Sequence, residues 1–169
     1  MDQKNLSEAA PAQLDRVLAF FSRADAKASV LLAVDTGMLA VLVSRLPPSS
    51  AFDCWLLILL APLFLIGGSL WHLHKAAFPS LEGGRDSLIY FREIGKRTES
   101  KFVNEFTSQS EQDYLKDILS QVWRNSQILK EKFDHISAAF NWMALAIVPW
   151  AGSLVLLAIH YSARTVKVP

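Results

Sequence analysis

Residues 54–74 read CWLLILLAPLFLIGGSLWHLH, and no Asp, Glu, Lys or Arg interrupts the chain between Asp53 and Lys75. An uncharged apolar run of about 20 residues is what a helix needs to cross a hydrocarbon core of about 30 Å. Trp55 and Trp71 stand near its two ends, where indole rings favour the membrane–water interface. Pro62 is expected to kink this helix, and Gly67-Gly68 to admit a close neighbour. Downstream, a second charge-free run extends from Asp134 to Arg164; it predicts a span over 139–162, bent at Pro149. Upstream, residues 28–44, ASVLLAVDTGMLAVLVS, lie between Lys27 and Arg45 and hold Asp35 near the middle. They predict a first span over 27–45. It is slightly short, and Lys27 and Arg45 can snorkel to make up the difference.

The composition agrees with three spans. Of 169 residues 51% are hydrophobic and only 20% charged, so a small soluble globule is disfavoured. The formal net charge of +1 gives no support for bulk nucleic-acid binding. Cys54 is the only cysteine, which excludes a disulfide scaffold. The first residues mix acids and bases ahead of the apolar run, unlike a secretory leader, and no lipidation box follows Met1.

Between the spans the pattern is helical throughout. Within residues 1–26, Leu14, Val17, Leu18 and Phe21 recur at helical spacing. They predict an amphipathic helix over 8–26, capped by Ser7, with Pro11 in its first turn. It runs without a breaker into the first span. Pro47-Pro48-Ser49-Ser50 is a turn. Residues 75–138 form the one sizeable polar segment. A loop is expected over 78–84, then a helix over 86–100 with Leu88, Phe91 and Ile94 on one face. Ser108 and Glu111 have the spacing of a capping box. Leu115, Ile118, Leu119, Val122, Ser126, Leu129, Phe133, Ile136 and Phe140 follow as a long amphipathic stripe. The stripe flows into the last span, so 110–162 reads as a single helix, with a short tail at 163–169.

Basic residues set the expected orientation. Lys4, Arg16, Arg23 and Lys27 lie before or at the start of the first span, and ten more lie between Lys75 and Lys132. Only Arg45 lies between the first two spans, and only Arg164 and Lys167 follow the third. The N-terminus and the segment 75–138 are therefore expected in the cytoplasm, and the C-terminus outside. The predicted fold is an all-α membrane protein: three transmembrane helices with a cytoplasmic helical insertion between the second and third.

Few residues invite chemistry. Arg23, Asp25 and Lys27 cluster at the mouth of the first span. Helical spacing puts Arg23 and Lys27 on one face and Asp25 roughly opposite. Either this is an interfacial charge cluster, or Arg23 and Lys27 hold an anion. Asp35 is costly at mid-membrane and must face the bundle interior, a pore or another copy. Its readings are a structural hydrogen bond to Thr36, Ser69 or a neighbouring copy, or a part in ion or proton passage. His72, His74, His135 and His160 lack a metal-binding spacing, and no HExxH or GxSxG is present. Gly83-Gly84 before Arg85 reads as a loop or as a weak phosphate cradle. Tyr90-Phe91-Arg92 could stack on a base, although helical spacing places Phe91 in a core.

The order of these features resembles the transmembrane-type Pycsar effector family. The residues that carry the resemblance are Asp25-Ala26-Lys27-Ala28 opening the first span, Phe78-Pro79 after the second, the block Leu88 to Ile94, Gln121 to Ser126, and Lys132-Phe133 leading into the last span. Together they cover roughly 20–160. Arg92 stands where family members often have glycine. The resemblance implies an effector of a bacterial anti-phage system. A partner cyclase makes cyclic CMP or cyclic UMP on infection, and the effector impairs the inner membrane. The same domain also occurs outside such systems. On this reading the protein is not an enzyme, holds no metal or cofactor, and forms a homo-oligomer. Its regulatory ligand contacts Arg23 and Lys27, positioned by Asp25, with Arg85 and Lys132 as further candidates. The alternative is a ligand-independent membrane scaffold that binds a partner.

Overall fold

The computed structural model describes residues 3–46, 54–79, 84 and 86–165. Among them there is no strand. Helix α1 covers Gln3–Ser44, and a short 3-10 helix, Cys54–Leu59, leads into α2, Leu60–Ala77. Then come α3, Phe91–Ile94, α4, Glu99–Ser108, and α5, Glu111–Thr165. Three helical stretches, Asn5–Ser44, Leu57–Ala77 and Glu111–His160, are long and apolar enough to cross a membrane.

The N-terminal helix and the first span are one element, as the lack of a breaker predicts. It starts earlier than expected, at Gln3, so Ser7 is not its cap and Pro11 lies well inside. Proline there gives up one backbone bond, yet the 42-residue helix continues through it. The last helix is likewise continuous, 55 residues long with Pro149 inside. Its cap lies two residues beyond the expected capping box. Ser110 Oγ accepts from the Asp113 backbone N–H at 3.2 Å and donates to Asp113 Oδ2 at 2.6 Å. Ser108 instead ends α4. The helix expected over 86–100 is replaced by two pieces. Residues 86–90 form a pinned loop, α3 stops at Gly95, and Thr98 caps α4, accepting from the Lys101 N–H at 3.4 Å.

The chain divides into two compact units, one of Met1–Asp25 with Pro79–Lys132, the other of Ala26–Phe78 with Phe133–Pro169. In the first unit the early part of α1 shares a cavity with Leu119, while Asp25 pairs with Lys132, so α1 and α5 run parallel there. Edge-to-face packing of Phe106 on Tyr114 at 6.0 Å ties α4 to α5.

The second unit is a three-helix bundle. Lys27 lies over the Phe133 ring, and Trp150 Nε1 donates to the Met38 carbonyl at 3.0 Å, so α1 and α5 are again parallel. Helix α2 runs against them: His72 meets His135, Phe64 meets Trp142, and Ser153 Oγ donates to the Ile58 carbonyl at 3.1 Å. Gly68 is required by this packing. A Cβ there would stand 2.6 Å from the Trp142 ring. The residues that α2 buries, Pro62, Ile66, Ser69, Leu73 and Ala76, alternate steps of three and four, the seam of a left-handed bundle. Outward-facing Val30, Leu63, Phe64, Leu145, Val148 and Val155 are exposed, as a lipid-facing surface requires.

The buried face of α5 matches the stripe read from the sequence only in part, at Ile118 and Ile136. It carries Ile118, Gln121, Ile128, Lys132, Ile136, Ala139, Met143, Ala146, Ser153 and Leu157. Leu119 and Phe140, placed on the stripe, are exposed, as is Phe91, expected in a core and 65% exposed. The three polar members of the buried face each have a polar partner on another segment, and those partners are what allow them inside.

Candidate functional site

In the first unit the loop ahead of α3 is folded by one serine. The Ser87 hydroxyl accepts from the backbone N–H groups of Ile89 and Tyr90 at 3.1 and 2.9 Å and donates to Asp117 Oδ2 at 3.0 Å. The Leu88 N–H reaches the same carboxylate oxygen at 2.9 Å, and Gln121 Nε2 donates to Ser87 Oγ at 3.2 Å. Short side-chain-to-backbone bonds of this kind let a serine start a turn. Arg97 holds the other side. Its guanidinium donates to the carbonyls of Asp86, Ser87 and Glu93 and to Glu105 Oε2 at 2.7 Å. Gly84 has φ +68°, and its missing side chain leaves room for the Gln121 amide. Asp86 also takes a positive φ, 60°, a conformation aspartate tolerates better than most residues.

This fixed loop forms one wall of a groove of about 250 Å³. Ile89, Tyr90 and Phe91 line that wall, Leu14, Leu18 and Phe21 come from α1, and Gln121, Asn125 and Ile128 from α5. The Tyr90 and Phe91 rings meet edge to face at 5.1 Å. The groove therefore combines aromatic faces with two side-chain amides. Its volume lies slightly below the range of roughly 300–1,000 Å³ typical of small-molecule sites.

Next to the groove, through Phe21, lies a charge pair of a buried lysine and an exposed aspartate. Lys132 Nζ contacts Asp25 Oδ1, and the ammonium lies 5.9 Å from the Phe21 ring centroid. The lysine side chain is 7% exposed and the aspartate 60%. One turn beyond Gln121, Arg124 keeps its Nε buried with no hydrogen-bond partner among the described residues. Glu93 and Glu105 at the loop's outer edge are both held below the usual glutamate range. For Glu93 the main cause is the Lys96 hydrogen bond, and for Glu105 the Arg97 hydrogen bond.

The sequence-predicted residues are not all gathered together. Asp25 does not join Arg23 and Lys27 but pairs with Lys132. Arg23 is exposed, over the Phe20 ring at 5.0 Å. Lys27 belongs to the second unit, over the Phe133 ring at 5.3 Å. Arg85 lies outside the described residues. The groove residues Phe21, Gln121 and Asn125 were not singled out as ligand contacts from the sequence, although Tyr90-Phe91 was noted for stacking and Gln121 to Ser126 carried part of the family resemblance.

In the second unit Asp35 is fully buried, and its Oδ2 accepts from Ser69 Oγ at 2.6 Å. Of the three structural partners weighed from the sequence, Ser69 is the one used. Thr36 bonds back to the carbonyls of Leu32 and Ala33. Asp35 Oδ1 has no partner among the described residues. His72 and His135 share a hydrogen bond between their Nδ1 atoms at 3.1 Å. Among the described residues no three His, Cys, Asp or Glu side chains are grouped to hold a metal.

Comparison with known proteins adds the family. The sequence profile of the Pycsar effector protein domain matches residues 9–159. The Pycsar effector protein GmPycTM of Gulbenkiania mobilis is 25% identical over 93 residues, 55% of this chain and 47% of that protein. The chain thus spans about half the length of this curated relative. No solved structure matches. The profile covers nearly the whole chain, from the second turn of α1 to the last turns of α5, and the chain belongs to the Pycsar effector protein family.

Proposed function

We propose that this protein is a membrane effector of bacterial anti-phage defence, switched on by a cyclic pyrimidine mononucleotide to impair the inner membrane and arrest the infected cell. A partner cyclase supplies the signal, cyclic CMP or cyclic UMP. The observation that carries the ligand part of this reading is the groove of Phe21, Tyr90 and Phe91 with the amides of Gln121 and Asn125. Aromatic faces stack on a base, and amides pair with its polar edge. Lys132 and Arg124 are the cations we assign to the cyclic phosphate, with Asp25 positioning Lys132 and Arg23 as an alternative contact. Family membership and three apolar helices support the membrane part. On this reading the action is not enzymatic, the first unit faces the cytoplasm, the C-terminus lies outside, and several copies act together, because three spans are few to enclose a pore.

The test is a thermal titration of the detergent-solubilised protein with cyclic CMP, cyclic UMP, cyclic AMP and cyclic GMP. One pyrimidine nucleotide is expected to raise the unfolding midpoint, since a ligand at 100 times its Kd stabilises by about 2.7 kcal/mol. No shift with any of the four, in folded protein, overturns the ligand assignment. A second reading, a ligand-independent scaffold, is favoured by Trp123, which is 64% exposed on the first unit's part of α5. It predicts partner capture without nucleotide.

A further inference from the structure

We propose that the second unit carries a seat for one anionic phospholipid in the groove between α1 and α5. The groove encloses about 620 Å³ and is lined by Val30, Ile136 and Phe140, with Lys27, Ser137 and Asn141 as its polar groups. Val30 is 64% and Phe140 53% exposed, so the apolar wall is open to the bilayer. Lys27 marks one end, where its ammonium lies over Phe133. No carboxylate among the described residues pairs with it. Ser137 and Asn141 lie one and two turns further along α5 and make no side-chain hydrogen bond among the described residues.

A phospholipid has the same order of groups. Its phosphate neutralises the ammonium. Its glycerol esters lie roughly one helical turn, about 5 Å, deeper, within reach of the serine hydroxyl and the asparagine amide. Its acyl chain covers Val30 and Phe140. A purely hydrocarbon neighbour would leave Asn141 unsatisfied, and a zwitterionic headgroup brings its own cation beside the phosphate, so it pairs more weakly with Lys27 than a headgroup of net negative charge. The occupant is therefore a lipid with net negative charge. The proposal stands on second-unit residues alone and does not depend on the nucleotide reading.

The test is native mass spectrometry of the full chain, released from detergent containing equal amounts of dioleoylphosphatidylglycerol and dioleoylphosphatidylcholine. One phosphatidylglycerol per chain is expected, preferred by about fivefold, the scale of one basic residue acting on an anionic lipid. Lys27→Gln should abolish the preference and Lys27→Arg keep it. Val30→Trp, at an exposed position that folding tolerates, should cut retention of both lipids. Equal retention by the unaltered protein overturns the proposal, as does a preference that survives Lys27→Gln. Full displacement by free glycerol phosphate, or a groove filled by a second copy in a dimer that Val30→Trp breaks, overturns it too.

Discussion

Gln121 donates to the hydroxyl of Ser87 at 3.2 Å, and its amide occupies the space where a side chain on Gly84 would begin. Helix, loop and backbone conformation are thus set by one contact. Gly84→Ala is expected to destabilise the protein by about 1–2 kcal/mol, the cost of holding an L-residue in the left-handed region, with more added by the crowded amide. Chemical denaturation followed by helical circular dichroism measures it. A neutral result would mean that the loop can rearrange at no cost.

The pair of Asp25 and Lys132 is unequal, because the lysine is buried and the aspartate is more than half exposed. Asp25→Asn strands a buried ammonium and should cost about 1–3 kcal/mol. Lys132→Met removes the buried cation and leaves an aspartate already more than half in water, so it should be close to neutral. Thermal midpoints of the two variants, compared at one pH, check the order. A reversed order contradicts the burial seen here.

Asn125 should affect ligand choice more than fold. It lines the groove on α5 and is only partly buried. Asn125→Ala is expected to leave the unfolding midpoint of the unliganded protein nearly unchanged and to weaken the responding nucleotide about tenfold, the effect of losing one or two hydrogen bonds. The same thermal titration reads both quantities.

Acid should loosen the loop that Arg97 holds. The Glu105 carboxyl lies below its ordinary value of 4.5, first through the Arg97 hydrogen bond. A carboxyl depressed on folding stabilises fully above its unfolded value, and the contribution is lost as pH falls through the folded value. Raising pH from 4.5 towards neutrality should therefore cost nothing, and lowering it below 4.5 should weaken the loop. Glu105→Gln is expected to shrink that acid-dependent loss, measured as the midpoint at pH 6 against pH 3.5. An unchanged pH profile would assign the acid sensitivity elsewhere.

Much of the fold was legible because lipid is an undemanding solvent to read. A charge-free run announces a span whatever its neighbours do, and the lack of a breaker between Ser22 and Ser44 was enough to join two predicted helices into α1. The face of α5 was harder. Reading apolar residues alone selected Leu119 and passed over Gln121 and Lys132, whose burial depends on partners far away in sequence. The start of α4 was readable in principle, since Thr98-Glu99 is a helix-opening pair. Asp25 was placed opposite Arg23 and Lys27 by helical geometry. Its pairing with Lys132 required knowing that α1 and α5 run in parallel. For Asp35 the partner used, Ser69, was among the three weighed.

Insertion into the membrane is constrained by that last pair. A carboxylate at mid-span costs about 2.5–3.5 kcal/mol on insertion scales, and the hydroxyl that receives it lies 34 residues later in the chain. During synthesis the first span is complete well before Ser69 has left the ribosome. The first span should therefore wait at the insertion machinery and enter lipid together with the second, as a hairpin. Nascent chains that stop before Ser69 should remain extractable, and those that include all of α2 should not.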